Sequence, residues 1–237
     1  MRLFAVVTAV TVLAVAGRWT AAAGDPPRER QASSAGATLR GRVDIQRLAV
    51  APERRPGVVD LATSTVPLEP EVRPAVVYLE STAVPKNSTL RAVPPKPDLA
   101  RIDQRDETFV PHVLAVSVGT AVAFPNNDIT FHNVFSLSKT KKFDLGRYGR
   151  GKSQTVVFDK PGVVRVFCDI HSHMSAFVLV FNHSFFTTTD ADGRYRIDGI
   201  PAGSYSVTAW HEGAARDTHT VTFPPGGGAI DLDLSVR

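Results

Sequence analysis

The chain has 237 residues, a length that accommodates one or two domains. Apolar residues make up 43% of it, enough for a core. The formal charge is +4 and falls to +2 if Arg2 and Arg18 leave with an amino-terminal leader, which is not the balance of a nucleic-acid-binding protein.

The leader is the first element. Arg2 gives a positive start, Leu3 to Ala16 is a short apolar run, and Ala21-Ala22-Ala23 offers the small residues that a signal peptidase reads. Residues 1–23 are therefore expected to be an export signal cut near Ala23–Gly24, with the mature protein periplasmic or secreted. The alternative is an uncleaved anchor. No other segment is long and apolar enough to span a bilayer, so no membrane contact is expected beyond the leader.

Residues 24–37 are small and polar and read as a flexible tether. From Thr38 a strand pattern begins (Leu39, Gly41, Val43, Ile45). Residues 51–74, with five prolines, read as a long loop. Ala75 to Glu80 is a strong short strand, and residues 84–99 are a proline-rich linker. Dense strand signals follow: Thr108–Val118 kinked at Pro111, Thr120–Phe124, Val134–Leu137, Gln154–Asp159, Val163–Phe167 and Ala176–Phe181. The nearly continuous apolar run Val163–Phe167 predicts a strand buried on both faces. Further strands are expected at Thr187–Thr189, Arg194–Ile197, Tyr205–Trp210, His219–Phe223 and Ile230–Leu234. No stretch after the leader has helical periodicity, so the chain is read as all-β, built of sandwiches.

There is one cysteine, Cys168. In an oxidising compartment a lone thiol has no partner within the chain, so it is either buried or bound to a metal. Its neighbours favour metal. Cys168, His171 and Met174 are spaced three residues apart, and His132 lies upstream in Phe131-His132-Asn133-Val134. A thiolate, two imidazoles and a weak axial thioether are the donor types of a blue-copper site, and soft sulfur stabilises Cu(I). Cys168 ends a strand, the following loop is short enough to curl round one ion, and His132 must come from a neighbouring strand.

Residues 98–183 resemble a cupredoxin on Phe124-Pro125-Asn126-Asn127-Asp128, His132-Asn133-Val134, Pro161-Gly162 and the Cys-x2-His-x2-Met loop, and the short loop is similar to that of the amicyanins. The resemblance implies a Greek-key sandwich holding one type 1 copper ion through His132, Cys168, His171 and Met174. It also implies a side chain at Asn133 that ties the two ligand segments together. His173 departs from the pattern. It is read as a surface histidine beside the site, with tuning, electron entry and replacement of Met174 as its other roles. His112 is read as structural, and His183, His211 and His219 as surface or turn residues.

The segment Thr187 to Ile197 with Gly199-Ile200-Pro201-Ala202-Gly203 resembles the carboxypeptidase regulatory-like, prealbumin-like sandwich. Asp192-Gly193 suits a tight hairpin turn rather than a calcium loop, since the glutamate an EF-hand needs at its twelfth position is missing. Such a module usually opens with strands like Leu39–Val43 and Ala75–Leu79. Residues 38–82 and 184–237 are therefore expected to form one discontinuous domain with the cupredoxin inserted into it. The whole arrangement is similar to bacterial methylamine-utilisation-type proteins.

Lys139, Lys141, Lys142, Arg147, Arg150 and Lys152 form a basic run read either as a solvated hairpin or as a docking face for an acidic redox partner. The expected function is one-electron transfer by a non-enzymatic, exported copper protein. The alternatives are a periplasmic copper chaperone or store, or a structural module without redox turnover. A second, multinuclear copper site of the oxidase type is not expected, since there are no His-x-His pairs elsewhere and His171-Ser172-His173 alone does not make one.

Overall fold

The computed structural model describes residues 36–45, 74–82, 100–212 and 216–237. The expected leader, most of the 24–37 tether and the loops at 51–73 and 84–99 lie outside these residues. Within them all regular structure is strand, arranged as two sandwiches with separate cores.

The first sandwich runs from Ala100 to Phe181. Its larger sheet has five strands in the order Val113–Ser117, Ser175–Phe181, Gly162–Phe167, His132–Leu137 and Lys142–Tyr148. A three-stranded sheet of Ser153–Phe158, Thr120–Pro125 and Ala100–Arg101 shares its core. Side chains alternate across a strand, so Ala176, Val178 and Val180 enter this core with Val122, Phe124, Phe158, Val164 and Val166. Each fully buried Val or Phe contributes about 1.5–3 kcal/mol of transfer free energy. The intervening residues Phe177, Leu179 and Phe181 face the other way.

That outward face is covered by the second sandwich. One sheet of the second sandwich orders Arg194–Ile200, Ala37–Ile45 and Ala229–Asp231, with Leu234–Val236 pairing in parallel to the far end of Ala37–Ile45. The other orders Phe186–Thr188, Val76–Ser81, Gly203–Trp210 and Asp217–Phe223. Leu39, Val77, Leu79, Ile200, Val207 and Phe223 fill the space between. Among the described residues, Ala37–Ile45 and Val76–Ser81 pair only with strands that follow Phe186. This sandwich is thus assembled from two stretches of chain that flank the first. At its Asp192-Gly193 turn, Gly193 has φ +79°, and a Cβ there would lie 2.6 Å from the Val43 carbonyl oxygen. Only glycine tolerates both demands.

A third apolar cluster joins the two sandwiches: Val113, Phe177 and Leu179 from the first, Val76, Tyr78 and Trp210 from the second. His112 reinforces it, buried, with its Nε2 bonded to the Glu212 carboxylate and its carbonyl accepting the Phe177 N–H at 2.8 Å.

Several strand expectations need correcting. Ala37, placed in the tether, already belongs to the first strand. Val163–Phe167 is not buried on both faces: Val163 and Arg165 are exposed while Val164 and Val166 are buried, because the second sandwich covers only part of the sheet's outer face. The expected strand 108–118 is two, Thr108–Val110 and Val113–Ser117, parted at Pro111. The basic stretch Lys142–Tyr148 is an edge strand of the larger sheet.

Candidate metal centre

His132 opens its strand, Cys168 directly follows the neighbouring strand Gly162–Phe167, and the two strands pair at Phe135 opposite Phe167. The loop after Cys168 is closed by two backbone bonds. Met174 N–H donates to His171 O at 3.0 Å, and Cys168 N–H donates to Met174 O at 3.2 Å. This folds residues 168–174 back on themselves and turns His171 towards His132.

The result is a triangle of donor atoms. His132 Nδ1 and His171 Nδ1 are 3.0 Å apart, and Cys168 Sγ lies 4.0 Å from the first and 3.9 Å from the second. Among the described residues this is the one cluster of three His, Cys, Asp or Glu donors close enough to share an ion. With metal bonds of about 2.0 Å to imidazole nitrogen and about 2.3 Å to thiolate sulfur, these three atoms are close enough for one ion to be held by all of them, and a thiolate with two imidazoles is a donor set that suits copper. Met174 is fully buried in the same apolar cluster as Cys168. His132 is wholly buried, and His171 keeps 17% of its side chain exposed.

The second ring nitrogen of His132 is also held. His132 Nε2 bonds Asp128 Oδ2 at 2.9 Å and Thr130 Oγ1 at 3.1 Å. An imidazole anchored on one nitrogen presents the other to the metal in a fixed tautomer and orientation. Burial pushes the Asp128 carboxyl upward. Bonds from the Glu107 N–H, the His132 ring and the Ile129 N–H outweigh it, so the carboxyl sits below its ordinary value. His171 Nε2 lies 3.6 Å from the Glu107 carboxylate, whose second oxygen is 3.6 Å from His173 Nε2.

Glu107 was not named from the sequence, and Asp128 stood there only within the Phe124–Asp128 motif, with no role of its own. Glu107 is at the tip of the hairpin formed by Asp103–Arg105 and Thr108–Val110. Its N–H donates to Asp128 Oδ2 at 2.8 Å, so one carboxylate ties the hairpin to the buried imidazole. Asp106 and Glu107 have φ of +48° and +53°, the left-handed conformations of a type I′ hairpin turn. Asp128 could have been noticed four residues before His132. The hairpin tip carried no signal of its own, since Asp-Glu is not a favoured pair for such a turn.

One other residue at the site, Asn133, differs from expectation. The Asn133 amide donates to Asp144 Oδ1 at 2.7 Å, across to the edge strand rather than to the Cys168 segment, and its own Oδ1 is buried without a partner among the described residues. His173 is 61% exposed and faces Glu107, outside the donor triangle. Beyond the site, His183 is buried rather than superficial. It packs on Phe181 and Phe185, and burial lowers its pKa.

The basic run does not form one face. His132 pairs with Tyr148 and Leu137 with Lys142, so the antiparallel hairpin carries Lys139, Lys141 and Lys142 about 17 Å away along the strand, at five steps of about 3.4 Å. Lys141 is there bound to Asp159 at 3.0 Å. Arg147, Arg150 and Lys152 remain at the metal end, where Arg147 pairs with Asp169 at 2.9 Å. Next to them stand exposed apolar side chains, Ile129 at 82% and Phe131 at 64%, with Ile170 from the Cys168 loop.

The carboxypeptidase regulatory-like domain family matches residues 174–237. No curated protein sequence matches the chain. Solved structures similar to it include a purple cupredoxin from Nitrosopumilus maritimus, 26% identical over 34% of this chain and 98% of that one, with a TM-score of 0.32. A reduced amicyanin variant is 19% identical over 36% of this chain and 84% of that one, with a TM-score of 0.34. A copper-containing nitrite reductase from Thermus scotoductus SA-01 is 26% identical over 36% of this chain but only 23% of that one, with a TM-score of 0.35. The family match takes in the strand Ser175–Phe181 of the first sandwich and the strands of the second sandwich that follow it.

Proposed function

We propose that this is an exported, non-enzymatic one-electron carrier holding a single type 1 copper through His132, Cys168, His171 and Met174. The observation that carries the reading is the convergence of one thiol and two imidazole nitrogens to within 4.0 Å of one another, with Met174 buried in the same loop. When bound, copper supplies one-electron redox chemistry. The protein's part is to hold its donors in an arrangement that neither oxidation state must remake, which keeps reorganisation small.

The residues around the donors serve that task. Asp128 fixes the His132 ring, the 168–174 backbone bonds fix Cys168 and His171, and the apolar cluster around Met174 excludes water. The part-exposed edge of His171 is the short way in and out for an electron. Ile129, Phe131 and Ile170 around it form a docking surface that desolvates readily, and Arg147, Arg150 and Lys152 at its rim favour an acidic redox partner. With four protein donors on the ion, no position is left open for a substrate, which is why the reading is of a carrier and not an enzyme.

The test is the visible absorption and EPR spectrum of the copper-loaded, oxidised protein. An intense thiolate-to-copper band with narrow copper hyperfine splitting is expected, lost in Cys168→Ser. A pale spectrum with ordinary copper splitting, unchanged in Cys168→Ser, would overturn the reading.

A further inference from the structure

The side chains between Cys168 and the second sandwich are not ordinary packing. Phe167 directly precedes Cys168. The Arg165 guanidinium lies over the Phe167 ring at 4.8 Å and over the Phe177 ring at 5.6 Å. Phe177 meets Trp210 of the second sandwich edge-to-face at 5.3 Å, and His112 flanks it at 5.7 Å. Arg165 and Phe177 are cross-strand partners, three residues before Cys168 and three after Met174. At about 3.3 Å per residue, Phe177 is about 10 Å along the strands from the thiolate. The indole of Trp210 also lines a cavity of about 300 Å³ at the junction, with Tyr78, Phe181 and Arg216.

We propose that the junction between the sandwiches is a second electron port, with Trp210 electronically coupled to the Cys168 thiolate through Phe177, Arg165 and Phe167. This rests on the copper-carrier reading above. Tunnelling falls steeply with distance and is strongest through packed, polarisable groups. The groups here are in unbroken contact, and Arg165, an exposed cation, is held against two aromatic rings where water would otherwise solvate it. The port opens on the outer face of the sheet, a different surface from the His171 edge. The second sandwich would then do more than brace the first: it supplies the indole at which the route ends.

Tryptophan fluorescence tests this on the full chain. In a Trp19→Phe background Trp210 is the sole tryptophan. Its excited indole donates one electron towards oxidised copper, and the charge returns by recombination, so coupling shortens the emission lifetime. The lifetime is measured in metal-free, Zn(II)-loaded and Cu(II)-loaded protein, each also as Phe177→Leu and Arg165→Gln, with visible absorption recorded on the same samples. Cu(II) but not Zn(II) is expected to shorten the lifetime. Phe177→Leu should restore it by about twofold or more and Arg165→Gln by less. Arg165 is exposed, so its variant keeps the test decisive if Phe177→Leu fails to fold. Equal shortening in the parent and both variants, or shortening by Zn(II), would mean quenching without the route and would overturn it while the blue band stands. Loss of the blue band itself would instead overturn the copper reading, and the route with it.

Discussion

Asp128 and His132 are bound to each other at the buried end of the metal site, Oδ2 to Nε2 at 2.9 Å, with three residues between them in the chain. The carboxylate makes the imidazole a better donor, which favours the more highly charged oxidation state of any metal on Nδ1. Asp128→Asn keeps the shape and removes the charge. The expected result is a raised reduction potential and about 10–100-fold weaker Cu(II) binding, read by voltammetry and chelator competition. An unchanged potential would show that Asp128 serves only the local fold.

That pair marks the boundary of what sequence alone could reach. The clustering of His132, Cys168 and His171 was legible because Cys168 and His171 share one short loop with Met174 and such residue types are rare in combination. Leu39–Val43 and Ala75–Leu79 were legible as strands of the resembled module, the first by its alternation and the second as a continuous apolar run, and both pair with strands from Phe186 onward. Glu107 was not, because its role comes from a hairpin tip folding over a loop twenty-one residues away. Nor was the scattering of the basic run: a contiguous string of charges looks like one patch until an antiparallel strand spreads it over both ends of a sheet. Asn133 was assigned by resemblance to a bond that its neighbour Asp144 takes instead.

The hairpin tip makes a second prediction. Non-glycine residues in the left-handed region cost roughly 1–2 kcal/mol each, and Glu107 is held there at φ +53°. Glu107→Gly relieves that strain and deletes the carboxylate facing His171 and His173, while its N–H can still reach Asp128. Denaturant unfolding of the metal-free protein should show a gain of about 1 kcal/mol. The reduction potential should rise, because a negative charge 3.6 Å from His171 Nε2 is lost. A stability loss would mean that the side-chain contacts outweigh the strain.

Charge at the two ends of the first sandwich should act differently on partner association. Reversing Arg150 and Lys152, at the metal end, is expected to slow electron exchange with an acidic partner by about tenfold at low salt and to flatten its salt dependence. Reversing Lys139 and Lys142, about 17 Å off along the strand, should change the rate far less. Stopped-flow kinetics over a range of ionic strength separates the two. Equal effects from both pairs would assign them to long-range steering by net charge rather than to docking.

The four tyrosines provide a pH prediction. Burial raises the pKa of Tyr78, Tyr148, Tyr195 and Tyr205 alike. Tyr148 is pushed up to about 12, although the Gln104 amide, donating to its oxygen at 2.8 Å, opposes the shift. Its own hydroxyl donates to Phe124 O at 2.8 Å, a bond that the phenolate cannot make. The unfolded value is about 10. A group whose folded pKa is raised gives stability that is complete below the unfolded pKa and is lost as pH climbs through the folded one. Stability should therefore hold to about pH 10 and fall from there towards about 12. In an absorbance titration no tyrosinate step is expected near pH 10, and ionisation should arrive together with the loss of near-ultraviolet circular dichroism. Tyr148→Phe should cost about 1 kcal/mol at neutral pH through the lost hydrogen bonds and make the alkaline decline shallower. A separate, reversible tyrosinate step near pH 10 with the circular dichroism intact would show that at least one of these hydroxyls is open to solvent.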